Sequence, residues 1–191
     1  MRYVKWSFLT LLVLLVAGFL HYTLPRHDVV RIVGTYQQRV DLNGWTNIFW
    51  SGSSKTQQAS QGTRDVQFIQ AVRPDGKPVV YRNEDTGWGW PPYFKFDTAT
   101  LQTRADDLKS TAETPKWVVV TRYGWRNQIW SIFPNALSVR PVDGPDVTVI
   151  PWATIVFFVV LIVIALFLRT LWKLFEARII APFVARWRPK D

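Results

Sequence analysis

Residues 147–168, VTVIPWATIVFFVVLIVIALFL, run for 22 positions between Asp146 and Arg169 without a charge. A helix of that length covers roughly 30 Å, about the thickness of a bilayer's hydrocarbon core, so the run predicts a transmembrane helix. A second apolar run, residues 6–25, lies at the other end of the 191-residue chain. Between them stand the 121 residues 26–146, enough for one domain with its own core.

Charge sets the predicted orientation. The formal net charge is +9, yet residues 26–146 hold 15 basic against 12 acidic side chains, while the remaining positions hold 8 against 2. The basicity is concentrated beside the spans, which argues against nucleic acid as a partner. By the positive-inside rule residues 1–5, with Arg2 and Lys5, and the tail 169–191, with Arg169, Lys173 and Arg178, belong in the cytoplasm. The domain between them then lies on the far side of the membrane.

The first run also has the form of a signal peptide. It ends in Phe19, Leu20, His21 and Tyr22 without a small-x-small cleavage pair, which favours an uncleaved anchor spanning residues 6–25. The second span should start at Pro151 and continue past residue 168. Leu168, Leu171, Trp172, Phe175 and Ile179 recur at helical spacing with basic residues between them, so an amphipathic extension is expected to about Pro182. Its basic face would meet anionic lipid headgroups.

Between the spans the pattern is β-type. Residues 28–41 read as a long strand bulged at Gly34, residues 42–62 as a strand-free stretch containing a solvated loop, and residues 65–72 and 78–83 as a hairpin through Pro74, Asp75 and Gly76. Residues 93–97 alternate as a strand, residues 101–110 suit a short helix capped by Thr98 or Thr100, and residues 117–123 and 137–142 are further strands. The predicted class is mainly β or α+β: two transmembrane helices flanking a compact antiparallel, partly open barrel-like domain.

The chain has no cysteine, which removes disulfides, thiolate nucleophiles and zinc–thiolate clusters. His21 and His27 are the only histidines and lack the spacing of a metal site, so they read as interfacial anchors. There is no phosphate loop, dinucleotide fingerprint or nucleophile elbow, and no cofactor is expected.

Two aromatic stretches carry the binding expectations. In NEDTGWGWPPYFKFD, residues 83–97, Trp88, Trp90 and Tyr93 can act as stacking platforms for a sugar or peptide, with Arg82, Glu84, Asp85 and Lys95 as polar partners. The plainer reading, that the rings plug the core beneath a rigid Gly- and Pro-rich corner, is preferred. In the second stretch Trp125 and Arg126 resemble an interface anchor, against a preferred reading in which the Trp packs inward. A carboxylate hydrolase built from Glu84, Asp85, Asp97 or Glu113 lacks any spacing that fixes a catalytic pair.

The segments MRYVKW, HYTLP, RDVQFIQAVRPDGK, YRNEDTGWGWPPYFKFD, YGWRNQIWSIFPNALSVRPV and GPDVTVIPW resemble an uncharacterised family of alphaproteobacterial inner-membrane proteins that carry a domain of unknown function. The resemblance implies an envelope location and an N-terminal anchor. The resulting expectation is a non-enzymatic inner-membrane protein with a periplasmic domain, acting as a scaffold or accessory subunit for a membrane-protein partner. The alternative is a glycan- or peptide-binding module.

Overall fold

One strand, β1 (Arg26–Asp41), organises the domain: its first six residues pair with β4 (Trp117–Tyr123) and the rest with β2 (Thr63–Val72), both antiparallel. A computed structural model describes residues 2–41, 63–129 and 131–181; the predicted loop at 42–62, Trp130 and the tail beyond residue 181 lie outside them. The chain divides into two compact units, Met1–Ile150 and Pro151–Asp191.

β1 offers one edge to each neighbour, and its register with β2 shifts between Ile32 and Gly34, where the sequence predicts a bulge. The predicted hairpin joins β2 to β3 (Pro78–Asn83), and Gly76 takes the positive φ of 80° that its turn needs. With β5 (Asn135–Val142) the strands follow the order β1-β2-β3-β5-β4 and close back on β1. The antiparallel expectation requires correction at one seam. β3 and β5 run parallel and share one bridge, Arg82 with Asn135, so the five-stranded sheet is mixed.

Val30, Ile32, Ile69, Tyr81, Val118 and Val139 form the main core. Strands of a closed ring share only their inner faces, so this cluster fills the interior. α2 (Thr98–Asp107) packs against it through Leu101 and Ala105, one turn apart. Its cap is Asp97 rather than the predicted Thr98 or Thr100: the Asp97 carboxylate accepts from the Thr100 N–H at 2.9 Å, and both threonines lie within the helix. A second cluster joins Val66 and Phe68 to Tyr36 and Phe133, with Phe68 stacked on Tyr36 at 5.0 Å.

The predicted strand at 93–97 is absent. Phe94 takes a φ of 50°, and Thr86 and Gly87 both donate their N–H groups to the Lys95 carbonyl. The segment therefore folds back on residues 84–87 instead of joining a ladder.

α1 (Arg2–Thr23) leads directly into β1, and its last carbonyls find partners in the domain. Gly124 donates its N–H to the Tyr22 carbonyl at 2.9 Å, and the Tyr93 hydroxyl donates to the Thr23 carbonyl. The second unit holds α3 (Trp152–Phe175), which continues into a π-helical turn, Glu176–Ile180. The helix thus extends past residue 168, as its spacing predicts. Tyr3–Thr23, with a mean hydropathy of 1.9, and Trp152–Ile180, with 2.8, are long and apolar enough to cross a membrane.

Candidate functional site

Two surfaces meet the last turns of α1. The first is built from residues 88–96. Trp88 and Trp90 are 84% and 61% exposed, so the expectation that these rings plug the core does not hold for them. The reason lies in the chain reversal at residues 84–97. It uses the backbone of Lys95 to close on residues 86 and 87, leaving the rings on the outside. Phe94 and Phe96 are also exposed and lie 5.4 and 5.8 Å from the Trp88 ring. Trp90 stacks on Phe19 of α1 at 5.4 Å with the planes 15° apart. Tyr93 is half-buried, its ring 5.1 Å from that of Tyr123, and burial raises its hydroxyl above the ordinary tyrosine value.

The second surface is a cleft of about 670 Å³. Four of its lining residues are arginines from separate parts of the chain: Arg26 on β1, Arg73 after β2, Arg122 on β4 and Arg126 beyond it. None of the described lining residues is acidic. Asp28 lies beside them, accepting from Arg122 at 2.5 and 3.3 Å and from the Tyr81 hydroxyl at 2.8 Å, with Arg73 at 3.6 Å. Burial pushes the Asp28 carboxyl up, but the hydrogen bonds and charges of these partners outweigh it, and the net value lies below the usual carboxylate range. Arg26 donates to the His21 carbonyl at 3.3 Å, and burial, then the Arg122 charge, lowers it from the ordinary arginine value. Arg126 donates to the carbonyls of Asn127 and Ile132 and lies 4.1 Å over the Phe133 ring. Trp125, 40% exposed, donates its indole N–H to Nδ1 of His21 at 2.7 Å.

Arg82, Glu84 and Asp85 belong to neither surface. Arg82 and Glu84 are buried and face each other at 3.3 Å, and Asp85 accepts from the Thr98 hydroxyl at 2.5 Å. Asp97 caps α2. Each of these carboxylates thus has a structural partner. Beneath them Lys95 donates to Asn83 Oδ1 at 2.5 Å and to the Ala136 carbonyl at 2.8 Å, and burial pushes its ammonium down to about 7. Among the described residues no three side chains of metal-ligating type cluster.

The structure therefore gathers Trp88 with Phe94 and Phe96 in an exposed apron, stacks Trp90 on Phe19, turns Tyr93 against Tyr123, and places Trp125 and Arg126 in the cleft. Sequence reasoning missed Arg26, Arg73 and Arg122 as a group, because each stands alone in the chain, up to 100 positions from its cleft partners. His27, the other histidine, is lowered by burial and by Arg140 across the sheet.

A family model described as "Protein of unknown function (DUF1523)" matches residues 1–176. An uncharacterized protein of Haemophilus influenzae is 38% identical over 157 residues, covering 78% of this chain and 84% of that protein. No solved structure matches the chain. With nearly its whole length matched and the aromatic and arginine-bearing segments inside the match, the chain belongs to the DUF1523 family of proteins of unknown function.

Proposed function

We propose that this is a non-enzymatic inner-membrane protein, anchored by both end helices with its termini in the cytoplasm, whose periplasmic barrel-like domain rests on the outer leaflet. There it serves as a scaffold or accessory subunit for a membrane-protein partner. The observation that carries the reading is the stack of Trp90 on Phe19. Phe19 lies four residues before the end of α1, roughly 6 Å along the helix axis. If α1 crosses the bilayer, Trp90 and the neighbouring exposed rings sit at headgroup depth, where amphipathic aromatics partition best.

The test is fluorescence of single-tryptophan variants reconstituted in vesicles whose lipids carry bromine at successive depths. Trp88 and Trp90 should be quenched most by the shallow label. Trp117, at the opposite end of β4 and roughly 20 Å from Tyr123, is the internal control. Equal quenching of Trp117 and Trp90 would remove the seated domain from consideration. For the scaffold role, mild extraction should co-purify a stable partner, and recovery of monomer alone counts against it.

The exposure of Trp88 supports a second reading, a glycan or peptide platform on the same apron. Peptidoglycan fragments should then change tryptophan fluorescence in the parent protein and not in Trp88→Ala. A flat titration retires this reading.

A further inference from the structure

We propose that the arginine cleft binds a phosphate group, held by Arg26, Arg73, Arg122 and Arg126. Four arginines line this cleft, and none of the described lining residues is acidic. Asp28 is satisfied by Arg122 in a two-point contact with the Tyr81 hydroxyl added, and Arg73 stands farther off at 3.6 Å. Arg26 and Arg126 are fixed by backbone carbonyls, Arg126 also over the Phe133 ring, and neither hydrogen-bonds to a carboxylate among the described residues. Two arginines outside the cleft each meet one acid, Arg82 with Glu84 and Arg39 with Asp65. Here Arg122 and Arg73 share the Asp28 carboxylate, and Arg26 and Arg126 add two further cations to the cleft lining. The surplus suits an oxyanion with several acceptor oxygens, since guanidinium groups bind phosphate with paired N–H donors. A planar carboxylate offers two oxygens and one charge, too few for donors arriving from four elements.

The rest of the cleft fits a ligand larger than bare phosphate. Its 670 Å³ is the size of a small-molecule site, and Trp125, oriented by His21, offers an apolar face beside the charges. The same chemistry is met by a phospholipid headgroup and by a soluble phosphorylated compound. This inference does not depend on the seating of the domain: a cleft on a domain held clear of the lipid would still bind soluble phosphate, and bromolipid quenching reads the apron alone.

The experiment uses the full chain, delipidated in dodecyl maltoside, which brings neither phosphate nor charge. Inorganic phosphate is titrated by calorimetry with acetate in parallel, and micelles doped with phosphatidylglycerol are followed by the fluorescence difference between the parent and Trp125→Phe. Binding is expected to weaken about tenfold in Arg26→Gln and in Arg126→Gln, and to be unchanged in Arg104→Gln on α2, outside the cleft. Binding of inorganic phosphate assigns a soluble source, and a response to phosphatidylglycerol alone assigns a headgroup. No binding of either, acetate binding as tightly as phosphate, or cleft variants that bind like the parent would each overturn the proposal. Should Arg126→Gln fail to fold, Arg26→Gln carries the test, because that guanidinium makes one carbonyl contact.

Discussion

Lys95 shows how a single residue can tie stability to pH. Its ammonium is buried, held by Asn83 and the Ala136 carbonyl, and lowered to about 7 by burial against the opposing pull of Asp85. An unfolded lysine keeps its proton to about pH 10.4. Between pH 7 and 10 the unfolded chain therefore binds more protons than the folded one, and stability rises with pH across that window. Thermal unfolding at pH 7, 8 and 9 should show the rise in the parent and a flat response in Lys95→Met; a slope that survives the substitution sinks the assignment. Asp28 has the same sign in a lower window. Its lowered carboxyl contributes stability above about pH 4 that is lost as the pH falls through its folded value. Asp28→Asn leaves Arg122 and Arg73 without a charged partner and should cost about 3 kcal/mol, read as a lowered unfolding temperature.

Among the elements, the join between α1 and the domain rests on Gly124, whose φ of 91° lets its N–H reach the Tyr22 carbonyl. A Cβ there would meet the Pro134 Cα at 3.6 Å, an ordinary contact, so the cost of Gly124→Ala comes from the backbone and should be about 1–2 kcal/mol. Gly144→Ala, with open space around it, is the matched control and should be nearly neutral. Equal thermal shifts in the two variants would refute the argument. Asp97→Ala removes the cap of α2 and should destabilise by about 1 kcal/mol, with loss of helical signal confined to that element.

For the whole domain, closure depends on one side chain. β3 and β5 share one backbone bridge, and beside it the Asn135 amide continues the ladder: its Oδ1 accepts from the Glu84 N–H and its Nδ2 donates to the Glu84 carbonyl, both at 3.0 Å. Asn135 is fully buried, so Asn135→Ala strands two backbone groups and should cost about 3 kcal/mol. Hydrogen exchange should then lose protection at Arg82 and Glu84 first while the β1–β2 ladder keeps its own. Uniform loss around the ring would mean that the seam is not the weak point.

The sequence by itself determined the two long apolar helices, the bulge at Gly34, the hairpin through Gly76 and the placement of all five strands. Each of these depends on contiguous residues: unbroken hydropathy, alternation, or the φ that a glycine or proline permits. Only the tertiary structure decided the parallel seam, the outward turn of Trp88 and Trp90, and the cleft. The seam follows from where a ring must close. The turn follows from the Lys95 backbone bonding to residues 86 and 87 instead of to a strand. The cleft exists because β1, the end of β2 and the end of β4 converge on the last turn of α1, bringing together arginines that no local pattern connects.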